Sequence, residues 1–186
     1  MGRILDIVIH PDPRLKQSSK AVGKVDDAVR QHFDDLIETM LKHDGVGLAG
    51  VQVGIMKRLF VVDLRVVAER DGRAALDRFD HIGGVLCFAD AEITHKSKEI
   101  YSLKQGCISL PGILVDVPRP EKITVKFVDY NNKPQEIEAE GMLSQCVQHE
   151  NDHTYGKLIT DYLPPMKREM QLKKVIKHTK NVASEL

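Results

Sequence analysis

At 186 residues the chain suits one domain, long enough to bury about 70% of its extended-chain surface. Lys+Arg and Asp+Glu balance at 27 each, so a net charge of +0 gives neither nucleic acid nor a membrane surface an electrostatic hold, and neither is an expected partner. There is no apolar leader and no stretch of transmembrane length, and three cysteines suit free thiols better than a disulfide framework, which predicts a cytoplasmic protein.

The opening segment reads as extended, because Pro11 and Pro13 block a helix. Asp26 is the expected N-cap of a helix running to about His43, with Val29, Phe33, Leu36, Ile37, Met40 and Leu41 as one apolar stripe. Asp44-Gly45 stops it. A glycine-rich loop follows (Gly45, Gly47, Gly50, Gly54), then residues 59–62 as a buried strand. Residues 65–84 are charged and glycine-containing and read as a loop or insertion, while 85–88, 92–94 and 100–103 read as strands. Ile123, Val125 and Phe127 alternate with polar residues before an Asn131-Asn132 turn and a strand near Ile137, which predicts a hairpin. One helix is predicted from about Gly141 to a C′ glycine at Gly156, and a last one over 165–180 with Met166, Met170 and Ile176 turned inward. The fold class is α+β: mixed or antiparallel strands packed around a central helix, with an N-terminal and a C-terminal helix, in a single domain over 1–186.

Inside the predicted central helix lies His149-Glu150-Asn151-Asp152-His153. Residues four apart lie about one helical turn apart on the same face, so the two imidazoles can share one metal ion. Glu150 projects about 100° around from His149, within reach of a water held there without being a ligand. Two neutral nitrogens beside a carboxylate are the apparatus of metal-assisted hydrolysis, the bland alternative being a solvated polar turn. A catalytic site of this kind takes a third protein ligand and leaves a fourth position open. Cys146 stands seven residues, about 10 Å of rise, from His153 and reads as a packing or pocket residue. Cys107 lies in Gly106-Cys107-Ile108-Ser109-Leu110-Pro111-Gly112, a turn that can aim a thiolate at a distant helix; its other reading is a small buried hydrophobe.

Three separated motifs resemble the peptide deformylase family in order and spacing: Gly45-Val46-Gly47-Leu48-Ala49-Gly50-Val51-Gln52, Gln105-Gly106-Cys107-Ile108-Ser109, and His149 to His153. The likeness runs from about Ile4 into the C-terminal helix. It implies that Cys107, His149 and His153 bind one divalent metal ion, that Glu150 is the catalytic acid and base, and that Gln52 and the backbone N–H of Ile108 steady the reacting formyl oxygen. It implies N-formyl-Met nascent polypeptides as substrate, the ribosome exit region as a partner, and Fe²⁺ as the native ion with Zn²⁺ or Ni²⁺ in purified protein. The donor set alone suits iron, zinc, nickel or cobalt. An apolar pocket for the methionine side chain is expected from Val46, Gly47, Met142 and Cys146, each of which also fits plain core. Two positions depart from the family pattern. Gly50 replaces an alanine, and Gln105 replaces a glutamate, which keeps a hydrogen bond to an arginine such as Arg119 but not the charge pairing. That second departure motivates a competing reading, a catalytically impaired relative. A different metalloprotease is a further alternative. A purely structural metal site fits poorly, since it takes four protein ligands and has no use for Glu150.

Overall fold

The computed structural model describes residues 2–71 and 82–184. Helix α1 (Asp27–Lys42) opens at Asp26, whose carboxylate accepts the Val29 N–H at 3.0 Å, and ends where Asp44 turns the chain at φ 52°. Strands β1 (Gly47–Ala49) and β2 (Leu59–Asp63) flank a 3₁₀ turn, Gly50–Val53, and lead into α2 (Leu64–Asp71). Next come β3 (Val85–Lys96), β4 (Ile100–Gln105), β5 (Val115–Pro120), β6 (Lys122–Val128) and β7 (Pro134–Glu140). Helices α3 (Gly141–Thr154) and α4 (Pro165–Ser184) complete the chain. Five strands form an antiparallel sheet in the order β1-β2-β3-β6-β7, and β4 and β5 form a separate antiparallel pair.

β2 is buried at every position because both faces of the sheet are covered there. Phe60, Val62, Leu86 and Phe88 face Leu143, Cys146 and Val147 of α3, while Leu59, Val61, Val85, Cys87 and Ala89 face Val29, Phe33, Leu36 and Met40 of α1. A strand of period two between two helices has to be apolar in both registers. β6, covered on one side, alternates instead. Each large apolar side chain so buried contributes roughly 1.5–3 kcal/mol, so packing rather than helix propensity holds α3 in the middle of the fold. A third cluster joins Val8, Leu15, Leu110, Val117, Ile159 and Val175, fastening the N-terminal segment, the Cys107 loop, β5 and α4 to one another.

Several elements differ from the sequence-based expectation. The segment 65–84 begins as helix α2 rather than loop, because Val67 buries against the α3 side of the sheet; residues 72–81 lie outside the described residues. The two strands expected over 85–88 and 92–94 are one strand, β3, interrupted by register shifts near Asp90, which has φ 49°. A bulge keeps the strand running while breaking its alternation. β1 and β5 were not expected: one is three residues long, and the other carries Pro118 and Pro120, which a two-stranded pair tolerates on its free edge. On α4, Met166 is 78% exposed and Met170 56% exposed; Val175 and Leu172 face inward instead. Leu41 at the end of the α1 stripe is likewise exposed. No helix among the described residues is long and apolar enough to cross a membrane.

Candidate active site

Helix α3 carries His149 and His153 on one face, with their ring centres 5.0 Å apart. Its orientation is set by polar ties to the end of β5: Ser144 Oγ and Gln148 Nε2 both donate to the Pro120 carbonyl, at 3.1 and 2.9 Å. The turn after β4 delivers Cys107 to this face. Its Sγ lies 3.3 Å from His153 Nε2, and the ligand atoms of Cys107, His149 and His153 all fall within 4.8 Å of one another. The N-terminal segment stitches the two site-bearing loops together, with Val8 N–H donating to the Gln52 carbonyl at 2.7 Å and His10 N–H to that of Ser109 at 3.0 Å.

Gln52 is 1% exposed rather than a solvated loop residue. Its Oε1 accepts the Ala49 N–H at 2.8 Å, which turns its Nε2 toward Cys107 Sγ and Ser109 Oγ, at 3.5 and 3.3 Å. Glu150 is buried, and its Oε2 has no hydrogen-bond partner among the described residues. The carboxylate lies against Gly47, where a Cβ would stand 2.7 Å from Glu150 Oε1. Glycine is therefore what lets the two motifs meet. Gly50 is also demanded locally: a Cβ there would stand 2.7 Å from the Ile55 carbonyl, across a turn closed by Ile55 N–H on Gly50 O at 2.9 Å. Ile108, Val46, Gly47, Met142 and Cys146 line the same cleft of about 300 Å³, at the lower end of the roughly 300–1,000 Å³ typical of small-ligand sites.

Gln105 is buried and keeps the arginine contact expected of it. Its Oε1 accepts from Arg119 Nε and Nη2, at 3.3 and 3.2 Å, and stands 3.1 Å from His149 Nδ1, while its Nε2 donates to Gln145 Oε1 at 2.9 Å. Arg119 is 2% exposed, and its charge is met by Asp152 Oδ2 at 2.7 Å and the Tyr162 hydroxyl at 2.8 Å. Sequence reasoning did not single out Ser109, Gln145, Asp152 or Tyr162. The available signal was Arg119 itself, a cation in register with Val115 and Val117 on the inward-facing positions of β5, which had to find a carboxylate.

The donors fit a divalent cation. Burial depresses both imidazoles, His153 to about 4 and His149 well below its ordinary value, with Arg119 adding to both and His153 to the second. At neutral pH both rings are thus uncharged, the form that ligates. Burial pushes the Cys107 thiol up to about 12, and the Glu150 carboxylate adds to it, against hydrogen bonds from the Ser109 and Leu110 N–H groups and Gln52. Burial likewise lifts Glu150 to about 8, Arg119 opposing and Asp152 adding. A thiol and a carboxyl held up in this way are stabilised as anions by a positive ion between them.

A partly buried cysteine–histidine–histidine group with a buried carboxylate beside it, on an α+β scaffold, defines the class of a metal-dependent hydrolase. The chain matches the family described as polypeptide deformylase over residues 4–169. It is 43% identical over 179 residues to the peptide deformylase of Rickettsia canadensis (strain McKiel), covering 96% of this chain and 98% of the relative. The crystal structure of peptide deformylase from Ehrlichia chaffeensis superposes with a TM-score of 0.85 at 37% identity, covering 97% of this chain and 99% of that one. The structure of that enzyme in complex with actinonin gives 0.83 at 38% identity, covering 95% and 98%. The chain belongs to the polypeptide deformylase family, the metal-dependent hydrolases that remove the formyl group from newly made polypeptides.

Proposed function

We propose that Cys107, His149 and His153 are the metal ligands, that Glu150 is the acid and base, and that Gln52 and the Ile108 N–H hold the formyl oxygen of a formyl-methionine substrate. What carries this reading is the convergence of three potential ligand atoms within 4.8 Å beside a carboxylate oxygen that has no hydrogen-bond partner among the described residues. A divalent ion in that donor set lowers the pKa of water and polarises the formyl carbonyl. Glu150 takes a proton from the attacking water as its oxygen bonds to the formyl carbon, then passes a proton to the nitrogen as the C–N bond breaks. Formate and a free N-terminal amine are the products. Negative charge gathers on the formyl oxygen during attack, and a pre-aimed donor such as Gln52 Nε2 is typically worth about 3 kcal/mol there. The cleft formed by Val46, Gly47, Met142 and Cys146 takes the methionine side chain.

Fe²⁺ is the proposed native ion, with Zn²⁺ or Ni²⁺ acceptable to the same ligands. The protein works in the cytoplasm near the ribosome exit, where α4 offers a basic surface: Lys167, Arg168, Lys173, Lys174, Lys177 and Lys180 against the single acid Glu169. The test is a formate-release assay on formyl-Met peptides with anaerobically purified protein, with metal content measured on the same sample. Formate release in proportion to bound metal, without cleavage of internal peptide bonds, is the expected result. Cleavage of internal bonds identifies a metalloprotease instead. Absence of formate release with Fe²⁺, Ni²⁺ and Co²⁺ identifies an impaired relative.

A further inference from the structure

Position 105 carries an amide, and an amide has two ends. Gln105 Oε1 faces the Arg119 guanidinium, which has donors only, so the Gln105 nitrogen has to point away from it. It points to α3, where Gln145 stands one turn before His149 on the same face. Gln145 is 1% exposed, and its own orientation is fixed at its far side, where Nε2 donates to the Tyr101 carbonyl at 3.3 Å. A carbonyl only accepts, so Gln145 Oε1 is turned to Gln105. The chain Tyr101–Gln145–Gln105 is therefore directional, pinned by a pure acceptor at one end and a pure donor at the other. Gln105 Oε1 then has one role left at His149, to accept, which makes Nδ1 the protonated nitrogen and leaves Nε2 with its lone pair free.

We propose that Gln145 is a positioning residue for the metal centre: by accepting the Gln105 N–H it holds Gln105 Oε1 on Arg119 and His149 Nδ1, and so presents His149 Nε2 to the metal. The role follows from the amide at 105. A glutamate there has no N–H to place, and Gln145 Oε1 would then face a carboxylate oxygen. Positions 105 and 145 act as a pair, one on β4 and one on α3, within a chain of hydrogen bonds that reaches His149. This rests on His149 being a metal ligand.

The experiment measures the Co²⁺ dissociation constant by chelator competition, with melting temperature on the same samples. The proteins compared are wild type, Gln145→Leu, Gln105→Glu/Gln145→Leu and His149→Ala. Gln145→Leu strands the buried Gln105 N–H, and loss of such a supporting contact is expected to weaken metal binding roughly 10- to 100-fold. The double variant removes the stranded N–H along with its acceptor and is expected to recover to within about threefold of wild type, a loss of supporting contacts being repaired by a second change in the same chain. Gln145→Met, of similar length and without an acceptor, carries the same comparison if the leucine variant does not fold. The proposal is overturned if Gln145→Leu melts lower yet binds Co²⁺ as wild type does, or if the double variant binds no better than Gln145→Leu. If His149→Ala binds as tightly as wild type, the fault lies in the ligand assignment instead.

Discussion

Gly47→Ala isolates the contact between the first motif and the Glu150 carboxylate. The added methyl stands 2.7 Å from Glu150 Oε1, 2.8 Å from its Cγ and 2.9 Å from its Cδ. Ordinary contact begins at 3.4 Å, so the carboxylate or β1 has to give by 3.4 − 2.7 = 0.7 Å. β1 is hydrogen-bonded to β2, and its own Leu48 and Ala49 are fully buried, whereas the carboxylate's Oε2 has no partner among the described residues, so Glu150 is the part that moves. A misplacement of about 1 Å in a reacting group can cost about 10²-fold, so kcat for formate release is expected to fall roughly 10- to 100-fold. The three atoms nearest the methyl all belong to Glu150, so metal content should match wild type. Steady-state formate release and metal content measured together decide it. A kcat within twofold of wild type, or activity lost only in step with metal, would refute the placement of Glu150 against Gly47.

Glu150→Ala should keep its metal and lose roughly 10²- to 10⁴-fold in kcat, the usual span for a positioned acid–base group; metal lost with activity would instead make Glu150 a ligand. Cys107→Ser should lose metal while Cys146→Ser keeps it, since Cys146 packs with Val147 and Leu143 against the sheet, and the reverse result would reassign the thiolate. Asp35 should contribute acid-sensitive stability: burial alone would raise its carboxyl, but hydrogen bonds from the Arg3 guanidinium and N–H and from Gln31 hold it below the usual carboxylate range. A depressed folded pKa stabilises above the unfolded value of about 3.9 and is lost as pH falls through the folded value, so Asp35→Asn should lower the urea midpoint at pH 7 and flatten the acid limb. Equal acid limbs in the two proteins would rule this out. Gln105→Glu gains a charge-assisted contact to Arg119, worth about 1.5–3 kcal/mol against about 1 for the neutral one, and loses about 1 where Gln145 has to turn over, a net change of about −0.5 to +1 kcal/mol. At about 2–4 °C per kcal/mol the melting temperature should rise by no more than about 4 °C, and a fall of similar size would show that the carboxylate is not met by Arg119.

The metal-motif helix, the β6–β7 hairpin and α1 were legible because each writes its own period and its own stop signal over a dozen residues. The caps at Asp26 and Gly156 fall where the sequence places them. The misreadings share one cause, that the deciding contact lies far along the chain. Met166 and Met170 look inward on helical spacing, but α4 docks through Leu172 and Val175 on the cluster built by Leu110 and Val117. β5 looks like a proline-rich loop until its pairing with β4 is known. At the site, the motif residues were readable as chemistry, whereas Gln145 resembles any polar helix residue until Tyr101 and Gln105 are placed on either side of it.

The amide at 105 looks like a lost charge in the sequence, yet the charge that matters is supplied from elsewhere. A buried arginine stripped of its carboxylate typically costs 3–5 kcal/mol. Arg119 is not stripped, because Asp152, inside the metal-binding motif and next to His153, takes the ion pair at 2.7 Å and shares its Oδ2 with the Tyr162 hydroxyl, also at 2.7 Å. Tyr162 in turn lies beneath the guanidinium at 4.8 Å from its ring centre. With Arg119 neutralised from α3, the β4 side is free to be neutral, and Gln105 has only to orient. What a neutral acceptor changes is how strongly the His149 ring leans on it: an uncharged oxygen draws less on the Nδ1–H than a carboxylate does. His149 Nε2 would then be a weaker donor to a cation held there. An amide at 105 can therefore orient its neighbours without carrying a charge, because Arg119 is balanced by Asp152 on α3.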